Sequence, residues 1–355
     1  MIALDAMGGD FAPAAAVEGA LRAKRERGLD VLLVGDAARL EAEVRRLGAS
    51  ATELPIHHAS QAVEMGEHPG NAMRRKKDNS IRVCFDLVKA RQCEGMISAG
   101  NSGAVLAGGL FVLGRLEGVE RPCIGGSLPS LAGAHRVVLV DMGANVVCKP
   151  IHLVQFALMG EVFTRRVFKV EKPRVGVVAN GEEEGKGTDL TRAVAAALRQ
   201  PESGIQFTGY VVGKDIFSGE FDLAVTDGFT GNVLLKTAEG AVWAFEQLLR
   251  REVAASLQAK LGALLMRPAL RAVKQRVDYD EIGGAPLLGV NGTGLIAHGR
   301  SGPKAILNGL SQTQMIARLK MEAEVSAAAQ RAHGLVVPEA KAAQQAAGEP
   351  GVARL

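Results

Sequence analysis

The sequence predicts an α/β fold, a mostly parallel sheet flanked by helices. Three observations predict it. Short apolar runs alternate with segments of helical period from the N-terminus onward. Glycine reaches 43 residues while aromatics make up 4%, which suits many tight turns around a core of Ala, Val, Leu and Ile. The chain has 355 residues, 47% of them hydrophobic, enough to bury a large core.

In order along the chain, Ile2–Leu4 reads as a short strand and Pro13–Arg27 as an Ala-rich helix. Val31–Val34 is the next strand and Ala38–Leu47 the next helix. Met96–Ser98, Val137–Val140, Val175–Val178 and Leu223–Val225 are further short apolar strands, each followed by a polar turn and a helical stretch. Such β-loop-α alternation builds parallel sheets covered on both faces. From Phe245 to Val277 no strand is legible. The segment reads as a long helix, a break at Pro268 and a second short helix. A helical hairpin over 245–280 is therefore expected to project from a single two-lobed α/β domain spanning 1–335. Beyond it the chain turns to Ala, Gln, Gly and Pro, so 336–355 is expected to be a mobile tail.

Lys and Arg number 42 against 38 Asp and Glu, a net charge of +4. No nucleic-acid partner is expected from that balance. Cys84, Cys93, Cys123 and Cys148 form no CxxC pair, so neither a disulfide framework nor a zinc site is expected. Residues 1–10 carry Asp5 and Asp10 and no Lys or Arg, unlike a signal peptide. No apolar run is long enough to span a bilayer, and a cytoplasmic location is expected.

Five of the strands run into polar, glycine-bearing loops. They are Asp5-Ala6-Met7-Gly8-Gly9-Asp10, Ser98-Ala99-Gly100-Asn101-Ser102-Gly103, Asp141-Met142-Gly143-Ala144-Asn145, Asn180–Thr188 and Thr226-Asp227-Gly228-Phe229-Thr230-Gly231-Asn232. In a parallel sheet the carboxyl ends of the strands point one way, so these loops are expected to share one crevice. Glycine brings backbone N–H groups close to a ligand, and Lys186 adds a mobile positive charge, so an anion of phosphate type is the expected occupant. The same residues also make turns and helix caps, and Asp227 reads equally as an N-cap.

Several familiar motifs are excluded. Gly181–Thr188 is not a Walker A loop, because three residues separate its glycines and Gly187 follows the lysine. No GxGxxG follows a strand, and no HExxH or GxSxG is present. His57 and His58, being adjacent, point to opposite faces of a strand and make poor joint metal ligands.

Taken in order, DAMGGD, RRKKDNS, SAGNSGA, VDMGANVVCKP, ANGEEEGKGT, TDGFTGNVLLKT and YDEIGGAPLLGVNG resemble the bacterial phosphate acyltransferase family of phospholipid synthesis. The resemblance runs from about Ile2 to His298. It implies an isocitrate/isopropylmalate-dehydrogenase-like fold, a homodimer, no metal or nucleotide cofactor, and peripheral membrane association. It also implies acyl transfer from an acyl-acyl-carrier-protein to inorganic phosphate, giving an acyl phosphate. Two positions depart from the family pattern: Phe11 stands where a histidine is common, and Ala179 where serine is frequent.

On that reading Lys186 and Asn232 are the expected catalytic residues, as a charge and a neutral donor on phosphate or oxyanion. Gly8, Gly9, Asn101, Ser102 and Gly103 are expected to shape a phosphate cradle, with Asp5, Asn145, Asn180 and Asp227 supporting it. Arg74, Arg75, Lys76 and Lys77 form a basic run. It reads either as a solvated face or as a dock for the acidic carrier protein. Cys148 reads as structural, because nothing near it in sequence supplies a base. Leu257, Leu261, Leu264 and Leu265 recur at helical spacing. From Arg250 to Arg276 seven basic residues face one acidic residue, Glu252. An apolar stripe with cations around it fits an anionic membrane surface, and its alternative is a subunit interface. Two other readings stay open: a coenzyme A-dependent short-chain phosphotransacylase, and a non-catalytic membrane scaffold.

Overall fold

The computed structural model describes residues 1–132, 136–277 and 279–339. Of the tail expected over 336–355, residues 340–355 lie outside the described residues. The chain opens with β1 (Ile2–Asp5), α1 (Ala14–Arg27), β2 (Val31–Gly35), α2 (Ala37–Arg46) and β3 (Ile56–His58). There follow α3 (Pro69–Arg75), α4 (Ser80–Lys89), β4 (Gly95–Ser98), α5 (Ser102–Gly108), β5 (Cys123–Pro129) and β6 (Arg136–Val140). Next come α6 (Pro150–Phe168), β7 (Arg174–Val178), α7 (Asp189–Leu198), β8 (Gln206–Val211) and β9 (Leu223–Val225). Three helices then run in succession, α8 (Gly228–Ala255), α9 (Leu257–Leu265) and α10 (Arg267–Val277). The described chain closes with β10 (Ala285–Leu288), β11 (Gly294–Ile296), α11 (Pro303–Leu319) and α12 (Glu322–Ala332).

The strands form one sheet in the order β3-β2-β1-β4-β11-β10-β5-β6-β9-β7-β8. Seven of the ten described pairings are parallel. The other three, β11–β10, β10–β5 and β5–β6, are consecutive in the sheet and antiparallel. An odd number of antiparallel steps reverses direction, so β6, β9, β7 and β8 run opposite to β1, β2, β3, β4 and β11. This corrects the expectation that all strand ends point one way.

The register nevertheless brings the two sets of ends together. Asp5 pairs with Ser98, Ser98 with Ile296, and Ile296 with Ala285. Leu287 pairs with Ile124, which puts Ala285 level with Gly126 two residues on. Across β5, Gly125 pairs with Val140, the last residue of β6. The carboxyl ends of the two half-sheets therefore meet head to head at Gly125–Gly126. Glycine is needed there: a Cβ on Gly126 would strike the Met142 thioether, which lies across the junction.

Helices bury both faces, as the β-loop-α alternation requires. Apolar residues of β1, β6, β7 and β9 share a core with α1, α6 and α12. α4 packs on the other side, with Phe85 beside Gly294 and Gly108. α1 ends at Gly28, whose φ of 66° closes the helix in the left-handed region that glycine adopts without strain.

The hairpin differs in detail from expectation. α8 begins at Gly228, so one helix of 28 residues runs from a strand end out into solvent. The breaks fall at Ser256, whose side chain accepts the Ala259 N–H, and at Met266. Pro268 is the second residue of α10, inside the first turn, where a missing N–H costs no helical bond. Glu246 of α8 pairs with Arg250 and lies 3.8 Å from Lys274 of α10, folding the hairpin back on itself.

Candidate active site

The ends of β1, β4 and β11 are pressed together. The buried carboxylate of Asp5 accepts the Ser98 hydroxyl at 2.6 Å and the Met7 N–H at 3.1 Å. Burial pushes this carboxyl up, against hydrogen bonds from Ser80, Ser98, Met7 and Gly8 that pull it down. Any Cβ on Gly8 would lie 2.5 Å from that carboxylate and 2.7 Å from the Gly100 nitrogen. Gly9 has a φ of 102°. Asn101 is fully engaged: its Oδ1 accepts the Ala104 N–H, and its Nδ2 donates to the carbonyls of Glu64, Met65 and Glu67. Ser102 is exposed, and Gly103 lets Pro69 approach the loop. Asp10 donates its N–H to the Gly299 carbonyl, joining the β1 and β11 loops.

From the opposing half-sheet, buried Asp141 organises the second group of loops. Its carboxylate accepts N–H bonds from Ile124, Gly143, Ala144 and Asn145 and the side-chain amide of Asn145. Asn145 also donates to the Pro122 carbonyl at 2.8 Å. Asp227 caps α8, accepting both the N–H and the hydroxyl of Thr230 at 2.8 Å. A side chain on Gly231 would fall on the Asp141 carbonyl, so glycine lets α8 start against this turn. Asn232 is exposed on the first turn of α8 beside Gly143.

Lys186 occupies the loop after β7. Asn180 Oδ1 accepts the Gly187 N–H at 2.8 Å, and the Lys186 N–H bonds the Glu183 carbonyl at 2.9 Å. Asn180, Gly181, Glu182, Glu183, Lys186 and Val212 line one open pocket. Two of the three consecutive glutamates carry a cation partner: Glu182, itself on the pocket wall, pairs with Lys214 at 3.0 Å and Glu184 with Arg199 at 3.4 Å. That relieves part of the repulsion an anion would meet here.

Two residues not singled out from the sequence tie the half-sheets together. Lys236, two turns along α8, places Nζ 3.3 Å from His298 Nε2 and 2.8 Å from a Glu239 oxygen. Burial lowers the His298 pKa, and the Lys236 charge lowers it further. The signal was present: Ala297-His298-Gly299-Arg300 follows β11 just as the other polar glycine loops follow their strands.

The remaining candidates lie elsewhere. Arg74, Arg75 and Lys77 are exposed at the end of α3. Lys76 is half-buried, paired with Glu67 and bonded to the Ala62 carbonyl. Cys148 donates to the Asn145 carbonyl, and burial, with Asp141 and Asp227 nearby, pushes its thiol up to about 12. Leu257, Leu261, Leu264 and Leu265 are exposed by 83%, 62%, 60% and 77%. Among the described residues no His, Cys, Asp and Glu cluster is placed to hold a metal ion. No helix among them is long and apolar enough to cross a membrane.

A family model described as fatty acid synthesis protein matches residues 1–323. The chain belongs to that family. Among curated members it is 55% identical over 336 residues to a phosphate acyltransferase of Anaeromyxobacter dehalogenans, covering 94% of this chain and 92% of that protein. It is 52% identical over 328 residues to the phosphate acyltransferase of Myxococcus xanthus, covering 92% of each chain. The fold of this family member is shared with a phosphotransacetylase from Streptococcus pyogenes, at a TM-score of 0.58 and 16% identity over 89% of this chain and 94% of that one. A 4-hydroxythreonine-4-phosphate dehydrogenase from Klebsiella pneumoniae follows at a TM-score of 0.50 and 15% identity, covering 89% of this chain and 99% of that one. At such identities the likeness concerns the fold alone.

Proposed function

We propose that this chain transfers a fatty acyl group from an acyl-acyl-carrier-protein to inorganic phosphate, giving an acyl phosphate and free carrier protein. The observation that carries the reading is the 55% identity to a phosphate acyltransferase over more than nine-tenths of both chains. The chemistry asks little covalent work of the protein. Phosphate is an anionic nucleophile at neutral pH and a thioester has a good leaving group. The site must hold phosphate against the thioester carbonyl and stabilise the oxyanion that forms. Lys186 and Asn232 are the proposed charge and neutral donor, with the glycine loops of β1 and β4 forming the walls. The deciding assay mixes purified protein, acyl carrier thioester and phosphate, and measures free carrier thiol. Release that needs phosphate supports the reading. Release from a coenzyme A thioester alone would instead favour the short-chain phosphotransacylase.

No acyl-enzyme on Cys148 belongs to this mechanism. Burial, with Asp141 and Asp227 nearby, pushes the Cys148 thiol up to about 12, so the unreactive thiol form prevails at neutral pH. Cys148→Ser is expected to keep turnover within about threefold of the parent, since surroundings rather than reactivity define the position. A loss of a hundredfold or more in the folded variant would reinstate the thiol as nucleophile.

The acidic carrier protein is proposed to dock on Arg74, Arg75 and Lys77. Lys76 is spent on Glu67 and contributes to the loop's own structure. Reversing charge at Arg74 and Lys77 is expected to raise the KM for acyl carrier and flatten its salt dependence, because rim charges act mainly on encounter. Identical salt profiles in variant and parent would make this run a solvated face.

The hairpin is proposed to rest on an anionic membrane surface, with the α9 leucines in the interface. A second copy is proposed to cover Val242, Phe245 and Leu249 of α8. These exposed residues continue at helical spacing the face that Leu234 and Leu235 pack against the core.

A further inference from the structure

We propose that the fatty acyl chain of the substrate lies along the outer face of α8, from Phe229 and Val233 beside the reacting site to Trp243, in a lane kept open by Gly240. The proposal rests on the acyl-to-phosphate reading and names where the apolar part of that substrate goes.

Helical spacing defines the face. Phe229, Val233, Lys236, Gly240 and Trp243 follow one another at alternate steps of four and three residues, so they form one stripe along α8. The stripe lies away from the face that Leu234 and Leu235 press on the core, which Val242, Phe245 and Leu249 continue. Phe229, Val233 and Trp243 are exposed by 61%, 48% and 64%. Apolar side chains exposed in a row mark a surface that a ligand or partner covers.

What covers it follows from where the stripe begins and where it looks. Phe229 and Val233 flank Asn232, the proposed donor, at the start of α8. Lys236 reaches His298 at the end of β11, with 3.3 Å between Nζ and Nε2, so the stripe looks across the cleft at the opposing half-sheet. There the exposed Met65 brings its Cε to 3.2 Å from where a Gly299 side chain would start, an apolar and adaptable second wall. The Lys236 ammonium is bound to Glu239 at 2.8 Å, to one side of the stripe, so Lys236 adds its aliphatic stem to the lane. A thioester carbonyl held at Asn232 must send its alkyl tail out of water, and this stripe is an apolar surface that starts there.

Gly240 supplies the groove. A glycine inside a helix lowers stability, and nothing in this chain asks for one here: a Cβ on Gly240 would meet no atom within 4 Å. Without a side chain, the helix backbone lies open to an alkyl chain between Lys236 and Trp243. The length also fits. At about 1.5 Å per residue, Val233 and Trp243 stand about 15 Å apart. One long acyl chain fills half of a bilayer's hydrocarbon core of about 30 Å, again about 15 Å. An eight-carbon chain, about half as long, ends before Gly240.

The test compares carrier thioesters of sixteen and eight carbons in vesicle-free buffer. Gly240→Leu should lower kcat/KM for the sixteen-carbon thioester about tenfold or more, as when two methylenes lose their cover. The eight-carbon thioester should stay within about twofold. The thermal midpoint should hold or rise, because leucine is the better helix former and meets no neighbour here. Trp243→Ala should show the same split between chain lengths. Trp243 is also the chain's single tryptophan, so hexadecanoate brominated at its terminal carbon should quench the fluorescence of the parent and spare that of Gly240→Leu. Equal effects on both chain lengths, or none, would overturn the lane. So would a Gly240→Leu protein that falls to monomers, which would give this face to the second copy. A parent that turns over neither thioester would defeat the acyltransferase reading. Quenching lost in Gly240→Leu would then still support the lane, and equal quenching in both proteins would overturn it.

Discussion

Lys186→Ala is expected to lower phosphate-dependent turnover about 10²–10³-fold, the usual loss when one preorganised contact to a developing oxyanion is removed. The fold should survive. Lys186 is exposed, its loop is held by Asn180 to Gly187 and by its own main-chain bond to Glu183, and its side chain merely rests against Gly181. The loss should fall on kcat more than on the KM for phosphate. Asn232→Ala, which removes a neutral donor, should cost less, about 10–10²-fold. Rates of free carrier thiol release, with circular dichroism on each variant, would decide. A folded Lys186→Ala protein at near-parental kcat takes this residue out of the mechanism.

The second large effect is expected at the hairpin. Leu257→Glu with Leu261→Glu should abolish sedimentation with anionic vesicles while phosphate-dependent activity in vesicle-free buffer persists. Transferring an exposed leucine into an apolar phase is worth about 1.5–3 kcal/mol, so losing two weakens partitioning by about 10²–10⁴-fold before any charge repulsion. The net charge between Arg250 and Arg276 falls from +6 to +4 and should leave only salt-labile attraction. Size-exclusion chromatography separates the two roles of the hairpin. A variant that still sediments with vesicles sinks the membrane reading. One that falls to monomers places the leucine stripe in the subunit contact, in place of the α8 face at Val242, Phe245 and Leu249.

Much of the site's scaffold was legible because glycine and Asx residues leave local signatures. Asp227 was readable as an N-cap and is one, and the helix it caps begins at Gly228. The loops after β1, β4, β6, β7 and β9 were readable from a polar glycine turn following an apolar run. The function of individual residues within them was less legible. Asn101, expected to shape the cradle, and Asn145 and Asn180, expected to support it, make bonds that hold their loops together. A side-chain amide next to a turn satisfies backbone groups as readily as a ligand, and only coordinates reveal which it does. Lys236 and His298 were missed for the opposite reason. They lie 62 residues apart and acquire meaning only from their contact.

The sequence by itself determined the α/β class, the hairpin and the ends of the parallel strands. Each depends on local periodicity: Ile2–Asp5, Val31–Gly35 and Leu223–Val225 are apolar runs that need no partner to be recognised. The tertiary structure alone decided the reversal of the sheet. β5, read as Cys-Ile-Gly-Gly-Ser-Leu-Pro, and β10, read as Ala-Pro-Leu-Leu, carry glycine and proline that weaken any local strand signal. They become strands because neighbours on both sides supply their hydrogen bonds. Those two strands turn one half-sheet against the other, so loops expected along a single edge meet from opposite directions. The same reversal lets a lysine on α8 reach a histidine at the end of β11. Strand direction is a relation between distant segments, set by pairing energy across the whole sheet, and no window of sequence contains it.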